Sequence, residues 1–520
     1  KKRRETNILV KKMKKTLFIK NAIVLTVTSL ILRFVGIVFK VWLASAIGAE
    51  GIGLYQLVFS VYVLVSTFAS SGICTAVTRL VADELALGTK KGTVKILNRS
   101  IQITLIIAIL SAIVVFFGAK PISLLFLKDA RAIPALKILT FSLPFMGISS
   151  CLRGYFIARR HATPSAATQL LEQAVRIGLL MLLIGKFANK GLTFCCAAVL
   201  GADTVAETVS CACLYIVYLK DKGKLSCLSG RERPPFPIVK RLMQIAMPIT
   251  SGRYLNTTLR TAENILVPIN LAKYRFSSEN SLAQFGMIKG MALPVLFFPS
   301  TLLNSLTTLL IPEMSESLAK KRYGIIKYTT ETVLRITSLI SFIFAALFFM
   351  AGKEIGILVY KSADVGFLLC ALSPIVPMMY LDSVADGILK GLDQQLYTFK
   401  TAAFDSSIRI VLILIALPIG GMKAFILIMY FSNLLTCLLH LIKLCKISGA
   451  RLSALKGIIV PLLSAILVSA TVQKLLLSIK NKNNLVYIIL FCLISILVYI
   501  ILLFLTGCIT KDDVEILFLK

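Results

Sequence analysis

The sequence has few of the residues on which most soluble enzymes rely. It contains two histidines and one tryptophan in 520 residues, and only 16% of its residues are charged. No GxSxG, GxxxxGK[ST] or HExxH motif occurs, so the nucleophile elbow, phosphate loop and zinc pair that these patterns supply are missing. We therefore expect no enzyme activity, no cofactor and no metal site.

Acidic residues are also scarce. There are 24 Asp and Glu against 58 Lys and Arg, giving a net charge of +34. The cations cluster between apolar stretches instead of following one soluble face, so nucleic acid is not the expected partner. The twelve cysteines show no CxxC spacing, and inside apolar runs they are typical of small buried hydrophobic residues.

Apolar residues, by contrast, make up most of the chain. Hydrophobic residues account for 57% and the mean hydropathy is +0.86, which is typical of an integral membrane protein. About fourteen apolar stretches are long enough to cross the bilayer as helices. We predict an all-α, polytopic membrane protein whose N- and C-termini both lie in the cytoplasm, since this topology places most Lys and Arg on the inner side of the cytoplasmic membrane.

An internal repeat divides these helices into two pseudo-symmetric six-helix lobes followed by two C-terminal helices. Residues 149–177 align with the region near 383–410 at a constant shift of 233 positions. At this shift Gly154 aligns with Gly387, Glu172 with Asp405 and Arg176 with Arg409, and just before these ranges Pro144 aligns with Pro377. Two such lobes are expected to enclose a central cavity that opens alternately to each side.

The repeat and the charge pattern also predict domain boundaries. We expect a basic cytoplasmic N-terminus over 1–16, an N-lobe over 17–219 and a cytoplasmic linker over 220–237. A C-lobe should follow over 238–446, with the last two helices and the tail over 447–520.

Cations inside apolar helices are the main candidate site. Arg33 and Lys40 lie two turns apart on the first helix, and Arg253 and Arg260 repeat that spacing on the seventh at a shift of 220. A cation in hydrocarbon costs roughly 2.5–3.5 kcal/mol on insertion scales, so these four are expected to face a wet cavity. There they would bind an anion, and the arginine fork suits a diphosphate. The alternative is that they snorkel or pair with acids such as Glu263.

Other intramembrane charges have several interpretations. Glu172 with Arg176, and Asp405 with Arg409, are four apart and favour ion pairs within a helix. Arg153 lies near the cytoplasmic end of its helix, where it could snorkel or form the floor of the cavity.

Two pairs of acids, each one turn apart, are candidates for coupling transport to a proton or cation, unless they point into water. They are Asp203 with Glu207 and Asp382 with Asp386. Prolines at 248, 294 and 299 favour bending in the second lobe.

Several blocks of the sequence resemble one known family. They are RFVGIVFKVWLASAIGAEGIGLYQLV (33–58), SSCLRGYF (149–156), LLEQAVRI (170–177), AMPITSGRYL (246–255) and GMALPVLFFPSTLLNSLTTLLIPEMSES (290–317). In this order they resemble the stage V sporulation protein B family. That family belongs to the polysaccharide-export branch of the multidrug/oligosaccharidyl-lipid/polysaccharide flippase superfamily, which also holds the MurJ-type lipid II flippases.

The resemblance implies fourteen helices in two lobes and transfer of an undecaprenyl-diphosphate-linked saccharide between leaflets, in cell-wall or spore-cortex synthesis. By this resemblance, the basic positions of the family pattern are matched by Arg33, Lys40, Arg253 and Arg153. The assignment of Arg260 to the site depends on the internal repeat alone. The expected partners are a lipid-linked anionic saccharide, membrane lipids and enzymes of cell-wall synthesis. Two alternatives stay open: a cation-coupled multidrug antiporter on the same fold, and a non-transporting membrane scaffold.

Overall fold

The structure is a computed structural model that describes residues 2–70, 72–87, 89–187, 191–224, 237–274, 278–451, 455–475 and 485–508. Most of the predicted linker and of the C-terminal tail lies outside these ranges, as do the side chains of residues 2–26 and of Arg33.

Every regular element in these ranges is helical. The α-helices are α1 (Lys2–Ser70), α2 (Ile73–Ala86), α3 (Lys90–Pro121), α4 (Ala132–Thr140), α5 (Ser142–Ala158), α6 (Ala162–Phe187), α7 (Leu192–Lys224), α8 (Ile238–Tyr274), α9 (Ser278–Gly286), α10 (Leu293–Phe297), α11 (Ser300–Ala319), α12 (Tyr323–Tyr360), α13 (Ala363–Leu372), α14 (Val376–Gly391), α15 (Gln395–Ser448), α16 (Val460–Leu475) and α17 (Leu485–Leu505). The prediction of an all-α membrane protein is confirmed.

The described helices are compatible with the predicted number of spans. Nine helices of the described chain are long and apolar enough to cross a bilayer, or eleven if each of two bent pairs is one span. Two of the nine contain a sharp break, at Gly48 (φ 72°) in α1 and at Gly421 (φ 55°) in α15. Glycine tolerates this positive φ without a Cβ clash, so each break joins two successive helices. Together with the polar helix α8, this arrangement is compatible with fourteen spans.

The chain divides into two compact units. The first comprises Lys1–Phe39 and Leu54–Ile265, and the second Lys40–Gly53 and Leu266–Lys520. This division follows a different boundary from the predicted lobes, because α8 packs within the first unit up to Ile265. Near this end of α8, the Thr261 hydroxyl donates a hydrogen bond to the carbonyl of Ser60 (3.1 Å), and Asn264 Nδ2 donates one to the Ser60 hydroxyl (2.9 Å).

The backbone repeats along the chain at the shift read from the sequence. Residues other than glycine with a left-handed φ include Lys128 (55°) and Lys361 (52°), which are 233 positions apart. Arg160 (58°) and Asp393 (60°) are separated by the same interval. Left-handed conformations are uncommon for such residues, so their recurrence shows that the two units end corresponding helices in the same way.

Close helix packing recurs at the same interval. A Cβ added to Gly154 in α5 would lie 2.7 Å from the carbonyl oxygen of Cys74 in α2. A Cβ added to Gly387 in α14 would lie 1.9 Å from Cγ2 of Thr307 in α11. Because lipid is as apolar as the helix surface, membrane helices depend on such close van der Waals contact, and small residues permit it.

Bending is present in both units, and the larger bend of the two bent helix pairs lies in the second unit, where the prolines predict bending to be concentrated. In the second unit, α9 and α10 meet α11 at an angle of 65°, next to Pro299. In the first, α4 meets α5 at 42° beside Phe141, three residues before Pro144. The long helix α8 continues through Pro248.

Candidate functional site

A polar stripe runs along α8 and carries two of the predicted cations. It consists of Thr250, Arg253, Thr257, Arg260 and Asn264, whose alternating spacing of three and four places them on one helix face. Both arginines are exposed and lie two turns apart, about 10 Å along the axis. Since a stripe of this kind is costly against acyl chains, the exposed part of it is suited to water and anions.

Arg260 and Glu263, which the alternative prediction pairs, differ in exposure. Glu263 is buried, at 3% exposure, whereas Arg260 is exposed. Their pairing stays a prediction.

Only one of the two predicted cations of α1, Lys40, has its side chain within the described residues. The side chain of Arg33 lies outside the described residues. Lys40 is half-buried and belongs to the second unit, whereas Arg253 and Arg260 belong to the first. The joint site of four cations therefore stays a prediction.

Arg153 is part of a charge network within the first unit, which alters its expected role. Its Nη2 lies 3.2 Å from Glu172 Oε2, and Glu172 Oε1 in turn lies 3.1 Å from Arg176 Nη2. Arg176 Nε approaches Asp203 Oδ1 at 2.5 Å. The alternating chain joins α5, α6 and α7, so Arg153 already has a carboxylate partner, and its role in binding a diphosphate stays a prediction.

The predicted pair of like charges in α7 is consequently split. Asp203 lies against Arg176, while Glu207, one turn further on, is buried at 8% exposure. Its Oε1 has no hydrogen-bond partner among the described residues. Neither acid points into water: Asp203 has Arg176 beside it, and Glu207 lies near Arg153 and Arg176. A role of these two acids in coupling stays a prediction.

The second unit has a simpler charge pair. Arg409 pairs with Asp405 one turn before it in α15, the pairing expected of residues four apart. The hydroxyl of Ser432, from the second half of α15, donates to Asp405 Oδ1 at 2.5 Å. Asp405 is 4% exposed, so this contact satisfies a carboxylate that would otherwise be costly to bury.

The predicted acid pair of α14 is also split, because each carboxylate has its own basic neighbour. Asp382 Oδ1 lies 2.8 Å from His440 Nδ1 on α15, and Asp386 Oδ2 lies 2.5 Å from Lys390 Nζ. Sequence reasoning missed His440. The signal was available, because the repeat shift of 233 relates Ser149 to Asp382 and Glu207 to His440.

A second contact missed from the sequence joins α5 to the end of α7. Asp221 accepts hydrogen bonds from Tyr155 Oη at 2.7 Å and from Arg159 Nη2 at 2.8 Å. Asp221 is 7% exposed. Pairs of this kind cross between helices 62 or more residues apart, so spacing along the chain does not reveal them.

The described residues contain no group of three or more His, Cys, Asp or Glu that could hold a metal ion. The site residues described above offer mainly electrostatic chemistry: exposed arginines on a polar helix face, and Asp203 and Asp386 each beside a cation. Exposed arginines of this kind can bind an anion.

Comparison with known proteins agrees with a membrane protein of the flippase and transporter type. The chain is 26% identical over 444 residues to stage V sporulation protein B of Bacillus subtilis (strain 168), which covers 84% of this chain and 85% of that protein. It is 22% identical over 415 residues to the lipid II flippase MurJ of the same organism, covering 76% of each.

A structure of lipid II flippase MurJ in an inward closed conformation matches with a TM-score of 0.70 at 14% identity, covering 92% of this chain and 98% of that chain. At this identity the match establishes the fold. The model of the family described as polysaccharide biosynthesis protein matches residues 18–318, more than half of the chain. The chain therefore belongs to this family, and its resemblance to the stage V sporulation protein B group is confirmed.

Proposed function

We propose that the chain moves an undecaprenyl-diphosphate-linked saccharide or peptidoglycan precursor from the inner to the outer leaflet of the cytoplasmic membrane by alternating access. The names of two relatives support this, since one is a lipid II flippase and the other a sporulation protein. The cargo on this proposal serves cell-wall or spore-cortex synthesis.

The observation that carries the proposal is the exposure of Arg253 and Arg260 on the polar stripe of α8. An anionic headgroup crossing the bilayer needs fixed positive charge partway across, and two arginines about 10 Å apart supply it along the path. Arginine suits a diphosphate because its planar fork donates two parallel hydrogen bonds to phosphate oxygens.

Arg33 and Lys40 extend this site on the proposal, because they repeat the spacing of the α8 arginines on α1. The saccharide headgroup would travel through aqueous space while the polyprenyl chain stays in lipid. Both termini remain in the cytoplasm.

The carboxylates have a supporting role on this proposal. Asp203 and Asp386 each lie against a cation, and Asp382 lies against His440, so on this proposal these contacts occupy the carboxylates instead of leaving them to recruit a cationic drug. This arrangement favours a flippase over a cation-coupled multidrug antiporter.

The test is leaflet transfer in reconstituted vesicles. Fluorescent undecaprenyl-diphosphate saccharide is placed in one leaflet, and its arrival in the other is followed by quenching. We expect Arg33→Ala and Arg253→Ala to abolish transfer with unchanged yield and folding of the protein.

Lys240→Ala is the matched control, because Lys240 is an exposed cation on α8 outside the polar stripe. It should transfer lipid at the wild-type rate. Normal transfer by both arginine variants would refute the proposed site. Equal loss in the control would attribute the effect to surface charge in general.

A further inference from the structure

A basic groove lies at one end of the first unit, apart from the α8 arginines. It has a volume of about 890 Å³ and is lined by the first turns of α3, the last turn of α7 and the first turn of α8. Its cations are Lys91, Lys95, Arg99 and Lys222. No acidic side chain is among the described residues that line it.

The groove is built on one helix face. Lys91, Lys95, Asn98 and Gln102 of α3 lie at intervals of three or four residues, with Arg99 beside them, and span about 16 Å along the axis. Arg99 Nη1 donates to Gln102 Oε1 at 3.0 Å, which holds the guanidinium on this face. The cations are thus presented together instead of being spread around the helix.

The same face becomes apolar further along α3. The stripe continues through Ile106, Ile109 and Ile113, which are 60%, 42% and 48% exposed. Val94, Ile238 and Val239 add apolar walls beside the cations. A face that is cationic at its end and apolar for the next two turns matches a molecule with an anionic head and hydrocarbon tails.

The groove is not a general consequence of the repeat. The positions 233 residues after Lys91, Lys95 and Arg99 hold Gly324, Tyr328 and Thr332 in α12. The second unit thus keeps the helix and loses these three cations. The general excess of positive charge expected on the cytoplasmic side therefore does not by itself explain why Lys91, Lys95 and Arg99 are clustered.

We propose that this groove binds the headgroup of an anionic phospholipid from the inner leaflet, with its acyl chains along the apolar face of α3. The ends of α3, α7 and α8 that form the groove are on the side predicted to be cytoplasmic, where basic pockets between membrane helices suit phosphate headgroups. This site is separate from the cargo site of the proposed function.

The experiment titrates the purified full chain with dioleoyl phosphatidylglycerol and measures bound lipid by native mass spectrometry. Each cation near a phosphate surface contributes enough that removing three should weaken binding roughly 100-fold. The test variant is Lys95→Gln/Arg99→Gln/Lys222→Gln. The matched control is Lys321→Gln/Arg322→Gln/Lys327→Gln, which removes three exposed cations from a surface that does not line the groove, and its affinity should stay within about twofold.

Lipid-binding measurements on the wild-type protein add tests that do not depend on whether a variant folds. Dioleoyl phosphatidylcholine and dihexanoyl phosphatidylglycerol should both bind at least tenfold more weakly than dioleoyl phosphatidylglycerol, because the first lacks net charge and the second lacks long chains. Displacement of the lipid by millimolar inorganic phosphate would mark a free-anion site and overturn the proposal. Unchanged lipid binding in the test variant, or an equal loss of lipid binding in the control variant, would also overturn the proposal.

Leaflet transfer is measured in parallel. A failure of leaflet transfer alone would contradict the proposed flippase function and leave the proposed lipid-binding groove unaffected.

Discussion

The two units carry different charges on corresponding parts of their repeated backbone. In the first, Arg153, Glu172, Arg176 and Asp203 form an alternating chain across three helices. In the second, the corresponding pair, Asp405 and Arg409, is completed by the hydroxyl of Ser432. Both units therefore contain the ion pair between residues four apart in one helix, but the groups around that pair differ between the units.

A second pair of positions shows the same divergence more sharply. Ser149 and Glu207 in the first unit correspond to Asp382 and His440 in the second, and the latter two are in contact at 2.8 Å. The carboxylate has changed helix and gained an imidazole partner. The comparison teaches that the repeat fixes where helices approach, whereas the charges at those places are assigned separately in each unit.

The largest expected effect comes from the centre of the first network. We expect Arg176→Gln to lower the free energy of unfolding by about 3–5 kcal/mol, because it leaves the carboxylate of Asp203 without a cation in a poorly hydrated place. Arg409→Gln should cost about 1–3 kcal/mol, since Asp405 keeps its hydrogen bond from Ser432. Unfolding in mixed micelles measures both. An equal or larger loss of unfolding free energy for Arg409→Gln would contradict the expected difference between the two charge networks.

Exchanging the diverged pair tests whether the two units offer equivalent positions. Ser149→Asp alone should destabilise the protein by about 3 kcal/mol, because it buries a second carboxylate near Glu207. The double variant Ser149→Asp/Glu207→His recreates the pair of the second unit and should recover to within about 1 kcal/mol of wild type. A double variant no more stable than the single one would show that the positions are not equivalent.

The two close glycine contacts should differ in their tolerance of a methyl group. Gly154→Ala meets a backbone carbonyl, and we expect a cost of about 1–3 kcal/mol that no side-chain change relieves. Gly387→Ala meets the Thr307 methyl, so Thr307→Ala should restore most of its loss. Thermal unfolding of the single and double variants provides the measurement. If Thr307→Ala fails to rescue Gly387→Ala, the contact described here is not what limits that position.

The smallest effect is expected at Lys390. Its side chain is 46% exposed and its partner Asp386 is 28% exposed, and solvent-exposed pairs contribute about 0–1 kcal/mol. Lys390→Gln should therefore leave both stability and leaflet transfer close to wild type. A large loss of transfer with normal stability would return Asp386 to the candidates for coupling.

Much of the fold could be predicted because its causes are local or periodic. Hydropathy predicts the spans, and the shift of 233 predicts the matched helices. The four-residue spacing predicts Glu172 with Arg176 and Asp405 with Arg409. The breaks at Gly48 and Gly421 follow the ends of apolar stretches, since only glycine accepts those backbone angles easily.

The candidate site was less predictable, because its contacts cross between helices. Arg176 pairs with Asp203 from the next helix, and Asp382 with His440 from a helix 58 residues further on. Which side chains meet depends on how far each helix is rotated about its own axis. A single sequence indicates that rotation only coarsely, because the apolar stripe from which it is inferred is wide. The cations of α8 were found because they interrupt an apolar pattern, which is a local signal.

The most direct measurement is binding of undecaprenyl-diphosphate saccharide by the purified full chain, compared with a neutral polyprenyl saccharide of equal chain length. We expect the wild-type protein to prefer the diphosphate at least tenfold, Arg253→Ala/Arg260→Ala to remove this preference, and Lys240→Ala to retain it. A double variant that still prefers the diphosphate as strongly as wild type would contradict a role for the α8 arginines in holding the phosphates.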